Sequence, residues 1–349
     1  MAVRYLPTTA ITSMVMNDTI YAYAQVYEGD LCEVAGHTKT ENGKSTYVHD
    51  KRNFAFAVTR VEGDTVVSNA PKLLTPLAAA PFNPSKNNRK NTRYLFYLND
   101  KNILCDALND GTGWKAGKLA LSNVVCAHYS KLASITVCNN WYNFICVYYQ
   151  APTEDAAIKM ISLSGYTGNW ADGSPDLKDP PLFGTSLAAV QSRPGISVLT
   201  SADKDGIQQP VYYLQMDNLC LGHAQGTSDP VVMSGLELDG RSLVFSPHTS
   251  LTAVDDGSKL YIIYKSNNNS IKMIEIVDHR PNPPEKFKSI DTTPMSAIAA
   301  CLSPDKKVVL FYQSLDTTTK QVHLFGCTLY KAAVNSTEWV QSTPVKLGQ

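Results

Sequence analysis

One short apolar motif recurs six times along the chain, and this repeat restricts the fold more than any other feature. Each copy begins with Ile or Leu and continues with two small residues of the Ala, Ser or Thr type. The copies begin at Ile11, Leu77, Leu132, Leu187, Leu251 and Ile298, and they are separated by 47 to 66 residues. A period of roughly 40 to 60 residues is typical of a β-propeller, in which each repeat forms one four-stranded blade. Small side chains suit the innermost strands, which crowd around the central axis.

A second motif, rich in tyrosine and β-branched residues, follows each first motif. Its copies cover residues 21–25, 94–98, 146–150, 211–215, 261–265 and 309–313. Residues 131–170 show a complete unit, with a third strand at 158–163 and Trp170 on a short outer strand. We therefore predict an all-β fold, a single six-bladed β-propeller of four-stranded antiparallel blades over residues 1–349. The predicted blades cover about 8–74, 75–130, 131–184, 185–248, 249–293 and 294–349. A polar insertion at 37–52 is expected to form a surface loop.

The balance of charges argues against a polyanionic partner. Lys plus Arg and Asp plus Glu both number 31, so the net charge is zero at pH 7, whereas nucleic-acid binding needs clustered positive charge. No run of about 18 apolar residues is present, so we expect no membrane span. The first ten residues lack the apolar core of a signal peptide, which leaves either a cytoplasmic protein or a secreted one whose signal has been removed. Asn-x-Ser/Thr triplets at Asn17, Asn268 and Asn335 favour the secretory route.

The residues that usually carry enzyme chemistry show no familiar spacing. The eight cysteines (32, 105, 126, 138, 146, 220, 301 and 327) and seven histidines form no CxxC or Cys/His metal pattern. Several cysteines lie inside strand patterns, where a cysteine usually serves as a small buried hydrophobe. Hydrolase, nucleotide-binding and metalloprotease motifs are absent. We expect no metal site and no cofactor.

The order of the motifs resembles that of the fungal fucose-specific lectins, which are six-bladed propellers with sugar sites between the blades. The resemblance rests on T-x-L-A-A-V in strand one, Y-Y-Q at the end of strand two, a third strand beginning with Ile or Val, and a Gly-Trp turn. It is closest over 102–114, NILCDALNDGTGW. It implies sites in which an Arg at the start of strand two and a Glu two residues into strand three grip the sugar, while aromatic rings cover its apolar face.

Most of the charged positions that the resemblance implies are lost here. The Arg places hold Tyr21, Tyr94, Cys146, Val211, Tyr261 and Val309, and the Glu places hold Glu33, Cys105, Met160, Leu221, Met273 and Leu324. Arg93 lies one residue from its expected place, and therefore on the opposite face of its strand. Because a charged hydrogen bond contributes about 1.5 to 3 kcal/mol, we expect no useful fucose affinity. The replacements instead predict apolar pockets with an occasional hydroxyl, which suit an apolar ligand.

A lectin-like propeller with emptied sugar sites resembles the hetero-Diels-Alderases of tropolone-sesquiterpenoid biosynthesis. This resemblance implies a cofactor-independent pericyclase whose partners are two small apolar substrates, a tropolone-derived ortho-quinone methide and a humulene-type sesquiterpene. A cycloaddition needs no nucleophile, and holding both partners in a reactive pose can supply up to about 7 to 11 kcal/mol of the barrier. A hydrogen-bond donor to the quinone methide oxygen would add stabilisation.

The candidate residues for that chemistry follow from the replaced positions. The candidate donors are Tyr21, Tyr94 and Tyr261, with His128 and His248 in reserve because both stand just before a first strand at one rim of the ring. The candidate substrate-binding walls are Trp114, Trp141, Trp339, Met160 and Met273. One alternative is a carbohydrate-binding protein with altered or lost sugar specificity. Another is a non-catalytic scaffold, which predicts an exposed apolar patch and no small-molecule pocket. Because lectins of this fold often pair, the resemblance also implies a homodimer.

Overall fold

The structure is a computed structural model, and it confirms the predicted all-β propeller. It describes residues 4–41, 44–56, 59–62, 65–68, 70–83, 91–138, 143–165, 167–173, 181–191, 210–215, 221–225, 231–232, 237–238, 241–242, 245–266, 268–277, 280–281, 285–316, 318–331 and 339–347. Within these ranges, six antiparallel sheets of four or five strands correspond to the six repeats. We call them blades 1 to 6 in chain order.

The strand bounds follow the repeats. Blade 1 consists of β1 (Ile11–Met16), β2 (Thr19–Gln25), β3 (Leu31–Glu41) and β4 (Lys44–Phe56), and the hairpin of β5 (Thr59–Glu62) and β6 (Thr65–Ser68) follows it. Blade 2 consists of β7 (Ala78–Phe82), β8 (Thr92–Leu98), β9 (Leu104–Asn109) and β10 (Trp114–Ala116), and a 3₁₀ helix (Leu119–Ser122) follows it. Blade 3 consists of β11 (Ala133–Cys138), β12 (Asn143–Gln150), β13 (Ile158–Ser164) and β14 (Trp170–Asp172).

The second half of the chain repeats this arrangement. Blade 4 consists of β15 (Ala188–Gln191), β16 (Pro210–Gln215), β17 (Leu221–Gln225) and β18 (Val231–Val232), and the hairpin of β19 (Glu237–Leu238) and β20 (Arg241–Ser242) follows it. Blade 5 consists of β21 (Leu251–Asp255), β22 (Leu260–Lys265), β23 (Ser270–Val277), β24 (Arg280–Pro281) and β25 (Glu285–Asp291). Blade 6 consists of β26 (Ile298–Leu302), β27 (Val308–Leu315), β28 (Val322–Lys331), β29 (Trp339–Gln341) and β30 (Val345–Lys346).

The six first strands form a closed ring. Strands β1, β7, β11, β15, β21 and β26 each pack against the next one, and β26 packs against β1. Buried apolar side chains then fill the space between neighbouring blades, for example Leu95 and Tyr97 of blade 2 against Tyr23 and Leu31 of blade 1. Successive side chains of a strand face opposite sides, so the two faces of every blade contribute to two different inter-blade layers.

A buried glutamine at the end of the second strand ties neighbouring blades together. The amides of Gln25, Gln150 and Gln313 donate to the carbonyl oxygens of Lys72, Leu182 and Leu6 at 3.0, 3.1 and 2.9 Å. Each acceptor belongs to the turn that leads into the next blade, and the Gln313 bond joins blade 6 to the start of blade 1. The recurrent terminal Gln of the second motif is therefore a structural staple.

The polar insertion at 37–52 is not the surface loop that we expected. It continues the β3–β4 hairpin beyond the length of the other blades, in paired register from His37–Val48 to Glu41–Lys44. Tyr47 turns inward, where it is 1% exposed and its ring centroid lies 5.3 Å from that of Phe311 in blade 6. The alternation of the strand buries Ser45 and Tyr47, whereas Thr46 and Val48 between and beside them are only partly buried.

Candidate functional site

A buried ion pair lies in the crevice between blades 1 and 2. Arg93 Nε donates to Glu33 Oε2 at 3.1 Å, and Arg93 Nη2 donates to Glu33 Oε1 at 3.3 Å. The two side chains are 13% and 7% exposed. The crevice therefore contains Glu33, which the sequence analysis found at an expected Glu place, together with Arg93, which it found one residue from an expected Arg place.

The pair forms because two blades share the crevice. Tyr94, at the expected Arg place, packs with Phe82 and Trp170 toward blade 3. Arg93, its neighbour in β8, points to the opposite face, as predicted, and that face closes the crevice against Glu33 of blade 1. The prediction that no charge pair would remain was wrong because it considered each blade by itself.

Aromatic rings border the ion pair. The Arg93 guanidinium carbon lies 4.3 Å from the Tyr21 ring centroid and 5.7 Å from that of Trp114, both within the range of a cation–π contact. Arg93 Nη1 also donates to the Tyr21 hydroxyl at 3.2 Å, and the Tyr23 hydroxyl donates to Glu33 Oε2 at 2.9 Å. Of the sequence candidates, Tyr21 and Trp114 belong to this site, whereas Tyr23 and Arg93 were not among them.

Burial sets the electrostatics of the site. Loss of water raises the pKa of Glu33, while Arg93 and the Tyr23 hydroxyl act in the opposite direction. A guanidinium has five N–H donors, and the described bonds of Arg93 use three of them. The site can thus offer two further charged donors and a carboxylate acceptor beside an aromatic wall.

Strand register corrects three of the six predicted Glu places. Glu33 pairs with Tyr23, and the equivalent partners in blades 2, 4 and 6 are Asp106, His223 and Gly326. The sequence reading had placed Cys105, Leu221 and Leu324 there, since it counted residues from the start of strand three. The connection has the same length in blades 1, 2 and 4, where Gln25, Leu98 and Gln215 pair with the residues six positions later. In blades 2 and 4 the error therefore came from the residue taken as the start of strand three, whereas in blade 6 the connection is longer.

The crevice between blades 2 and 3 is aromatic rather than ionic. Tyr94 is half-buried, its ring meets Phe82 edge-on at 5.9 Å, and Trp170 meets Phe96 edge-on at 5.8 Å. Asp106 is 3% exposed, and its carboxylate accepts the backbone N–H of Leu119 at 2.8 Å. Burial raises the pKa of Asp106 to about 6 and that of Tyr94 to about 12. This crevice therefore offers a neutral phenol among apolar rings.

The crevice between blades 5 and 6 contains the third tyrosine in a second charged cluster. Tyr261 donates to Asp256 Oδ2 at 3.0 Å and meets Trp339 edge-on at 5.3 Å. Glu275, its cross-strand partner, binds Lys331 at 3.2 Å as well as Lys259. Met273 is 1% exposed in the layer below. The Tyr261 hydroxyl is thus committed to a carboxylate.

The other two predicted wall residues lie apart from these groups. Met160 is half-buried between blades 3 and 4 beside Tyr148, and Trp141 lies outside the described residues. Between blades 6 and 1, Tyr47 fills the space beside Gly326, where an added Cβ would lie 3.0 Å from its ring. The described Tyr, Trp and Met candidates are therefore distributed over several crevices and do not meet in one site.

Both candidate histidines are exposed at one rim of the ring. His128 packs its ring against Tyr129 at 5.0 Å, and His248 lines the mouth of the central cavity, where Nδ1 lies 3.3 Å from the Gly184 carbonyl oxygen.

Among the described residues, no three His, Cys, Asp or Glu side chains are placed to hold a metal ion. In the same part of the chain, no helix has the length and apolar content needed to cross a membrane.

Comparison with known proteins agrees with the fold. The model of the family described as fungal fucose-specific lectin matches residues 48–225. A mutant lectin of Aleuria aurantia in complex with Fucα1-6GlcNAc is 19% identical with a TM-score of 0.70, and the match covers 99% of this chain and 98% of that one. AofleA from Arthrobotrys oligospora is 16% identical with a TM-score of 0.66, over 99% and 91% of the two chains.

A more distant structure has the same fold. A lectin from Burkholderia pseudomallei is 16% identical with a TM-score of 0.54, over 97% of this chain and 84% of that one. Among curated protein sequences, none is similar enough to count as a match. At these identities the solved structures establish the architecture, and the family model covers just over half of the sequence.

Proposed function

Because the chain belongs to the fungal fucose-specific lectin family, we propose that it is a carbohydrate-binding protein that holds a fucose-like sugar between blades 1 and 2. The observation that carries this proposal is the meeting of Glu33 and Arg93 beside the rings of Tyr21 and Trp114. The Aleuria aurantia lectin has been solved with Fucα1-6GlcNAc and with α-methyl-L-fucoside. Fucosides are therefore the first ligands to test.

The chemistry of the crevice suits a sugar with one apolar face. The remaining guanidinium N–H groups donate to ring hydroxyls, and the Glu33 carboxylate accepts from them. In the proposed site, the C–H face of the pyranose packs against the Trp114 ring. Charged hydrogen bonds contribute about 1.5 to 3 kcal/mol each, so two of them account for most of a weak, specific affinity.

The described crevices differ enough that we propose one such site rather than six. Asp106 is turned to the backbone, Gly326 makes room for Tyr47, and Tyr261 is bound to Asp256. A protein with one site cannot link several sugars, so it gains no affinity from multivalent binding to a surface. We therefore expect binding without agglutination by the monomer, and agglutination only if the proposed homodimer forms.

Titration calorimetry with α-methyl-L-fucoside tests the proposal, and a glycan array serves as the broader screen. Glu33→Gln should weaken binding about tenfold or more, because an amide accepts a weaker hydrogen bond than a carboxylate. Arg93→Lys should weaken it similarly through the loss of the planar fork. Tyr94→Phe, in the neighbouring crevice, is the matched control and should leave the affinity unchanged. The proposal would be overturned if the wild-type protein bound no glycan, or if Glu33→Gln bound the fucoside as tightly as the wild-type protein.

A hetero-Diels-Alder reaction is our second candidate, and the crevice between blades 2 and 3 favours it. Like other tyrosines, Tyr94 is protonated at neutral pH, burial raises its pKa further to about 12, and the rings of Phe82 and Phe96 lie beside it. A neutral donor beside apolar rings suits a quinone methide and a humulene-type alkene. Here the chain would orient two apolar molecules and would donate one hydrogen bond.

Chiral chromatography of the adduct separates this candidate from the first. With protein present, one stereoisomer should form faster from a tropolone quinone methide and humulenol. Tyr94→Phe should slow the reaction, whereas Tyr21→Phe, in the charged crevice, should not. A racemic product formed at the uncatalysed rate would exclude the activity for this substrate pair.

Exposure of two of the three glycosylation triplets supports the secretory route that the sequence suggests. Asn17 and Asn268 both lie exposed beside hairpin turns, while Asn335 is outside the described residues. Intact-mass analysis of the protein from its natural source, before and after enzymatic removal of N-glycans, tests this assignment. An unchanged mass would favour the cytoplasmic alternative.

A further inference from the structure

The ring of first strands encloses a central cavity that the proposed sugar site does not use. Its volume is about 610 Å³, and its walls are formed by the first motifs of all six repeats. Ligand pockets usually have volumes of about 300 to 1,000 Å³. The cavity is therefore large enough for one small molecule.

The mouth of the cavity is partly apolar. Its edge is formed by the residue three places before each first motif: Thr8, Leu74, Tyr129, Gly184, His248 and Met295. Five of these six, all except Tyr129, have a positive φ, so the chain turns sharply at five of the six blade junctions. Leu74 and Met295 are 51% and 77% exposed, so this edge presents two large apolar side chains to a molecule in the cavity.

The charge inside the mouth has one sign. Lys131 and Lys265 both line the cavity, and none of the described lining residues is acidic. Lys265 is half-buried, whereas Lys131 remains exposed although the nearby protein lowers the pKa of both ammonium groups by desolvation. An anion bound beside them would replace the lost hydration and would restore the preference for the charged form.

Both lysines are departures from the internal repeat. The place of Lys131 is taken by Ala10, Pro76, Ser186, Ser250 and Ala297 in the other five repeats. Lys265 stands where Gln25, Gln150 and Gln313 form the staple between blades. Its Nζ makes the equivalent bond to the Thr293 carbonyl oxygen, but at a longer distance of 3.4 Å. A glutamine satisfies the staple without a desolvated charge, so the structural role does not account for the lysine.

We infer that the central cavity binds one small anionic amphiphile, a molecule with a carboxylate or sulfonate group and an apolar body. The anionic group pairs with the ammonium group of Lys131 or Lys265, which both line the cavity. The apolar body contacts the Ala and Leu side chains of the first strands and the Leu74 and Met295 edge. The site is separate from the crevice between blades 1 and 2 and does not depend on the function of that crevice.

Two fluorescent probes of similar shape test the inference. Anilinonaphthalene sulfonate carries the anion, and phenylnaphthylamine is its neutral counterpart. The folded protein should bind one molecule of the sulfonate saturably, and Lys131→Ser with Lys265→Gln should weaken that binding at least tenfold while it leaves the neutral probe unaffected. Both substitutions introduce a residue that other repeats already contain at that place, so the fold should persist, and circular dichroism checks this.

Three further measurements keep the result specific. Lys101→Ser, which removes an exposed lysine outside the cavity, and Glu33→Gln should both retain full sulfonate binding. α-Methyl-L-fucoside should not displace the probe. Equal sulfonate binding by the double variant would overturn the inference. Binding to anionic vesicles without binding of the free probe would also overturn it and would indicate a lipid surface. Loss of probe binding on self-association would overturn it as well and would indicate that a second copy covers the mouth.

Discussion

Replacing Arg93 by Met should destabilise the protein by an amount that depends on pH. The Glu33 side chain is 7% exposed, and without the guanidinium its described hydrogen-bond partner is the Tyr23 hydroxyl at 2.9 Å. Removing one partner of a fully buried pair costs about 3 to 5 kcal/mol, because the other charge remains buried. Since both groups here retain a little solvent, we expect a loss of about 2 to 4 kcal/mol at pH 7.

The sign of the pH dependence follows from the pKa of Glu33. Burial already raises this pKa, and removing Arg93 takes away a cause that lowers it. The folded variant then binds the proton more tightly than the unfolded chain, whose Glu pKa is about 4.3. Stability therefore falls as the pH rises from that value to the folded pKa. The loss should be full at pH 8 and small below pH 4, where the carboxyl is protonated in both states.

Urea or thermal unfolding at pH 8 and pH 4 measures this difference. For a chain of this length, 3 kcal/mol corresponds to a decrease of about 4 °C in Tm. The double variant Arg93→Met with Glu33→Gln should recover much of the loss at pH 8, since no buried charge remains. An equal loss at both pH values, or no recovery in the double variant, would show that Arg93 acts through packing and not as the partner of Glu33.

Other parts of the fold give three further predictions. Gln150→Leu leaves the buried carbonyl groups of the staple without their donor and should cost about 2 to 4 kcal/mol in urea unfolding, whereas Gln321→Leu, at an exposed site, should cost little. Six of the eight cysteines are free and buried, and burial raises the pKa of each of these thiols. A thiol reagent at pH 8 should therefore label at most two cysteines in the native protein and all eight in urea. Gly326→Ala should cost about 1 to 3 kcal/mol by calorimetry, because its methyl group would press on the Tyr47 ring.

The blade architecture was predictable because its signal is local and repeated. Strands β1, β21 and β26 begin at Ile11, Leu251 and Ile298, the first residues of three motif copies. The motif places small residues at the axis, and the next motif supplies the alternation of a buried strand. Both features depend only on neighbours in sequence, so no knowledge of contacts between blades is needed.

The hairpin of β3 and β4 shows where local patterns become insufficient. The polar stretch at 37–52 resembles a loop, because it lacks the alternation of apolar and polar residues by which a half-buried strand is recognised. The hairpin instead gains its inward anchor from Tyr47, which packs against Phe311. Phe311 is 264 positions away in sequence, so neither segment by itself indicates the contact.

The charged site between blades 1 and 2 also depends on a contact between segments that are far apart in sequence. In sequence, Tyr21 stands at the Arg place that the resemblance implies, and Arg93 lies one residue from the corresponding place in blade 2. In the structure Arg93 projects from the blade 2 wall of the crevice and pairs with Glu33 of blade 1. Residues of two neighbouring blades line each crevice. A search that looks for the Arg and the Glu within one repeat therefore misses a pair whose members come from two repeats. Each position should therefore be compared with both residues that face the crevice, and by that criterion the first crevice retains the cation, the carboxylate and the aromatic wall together.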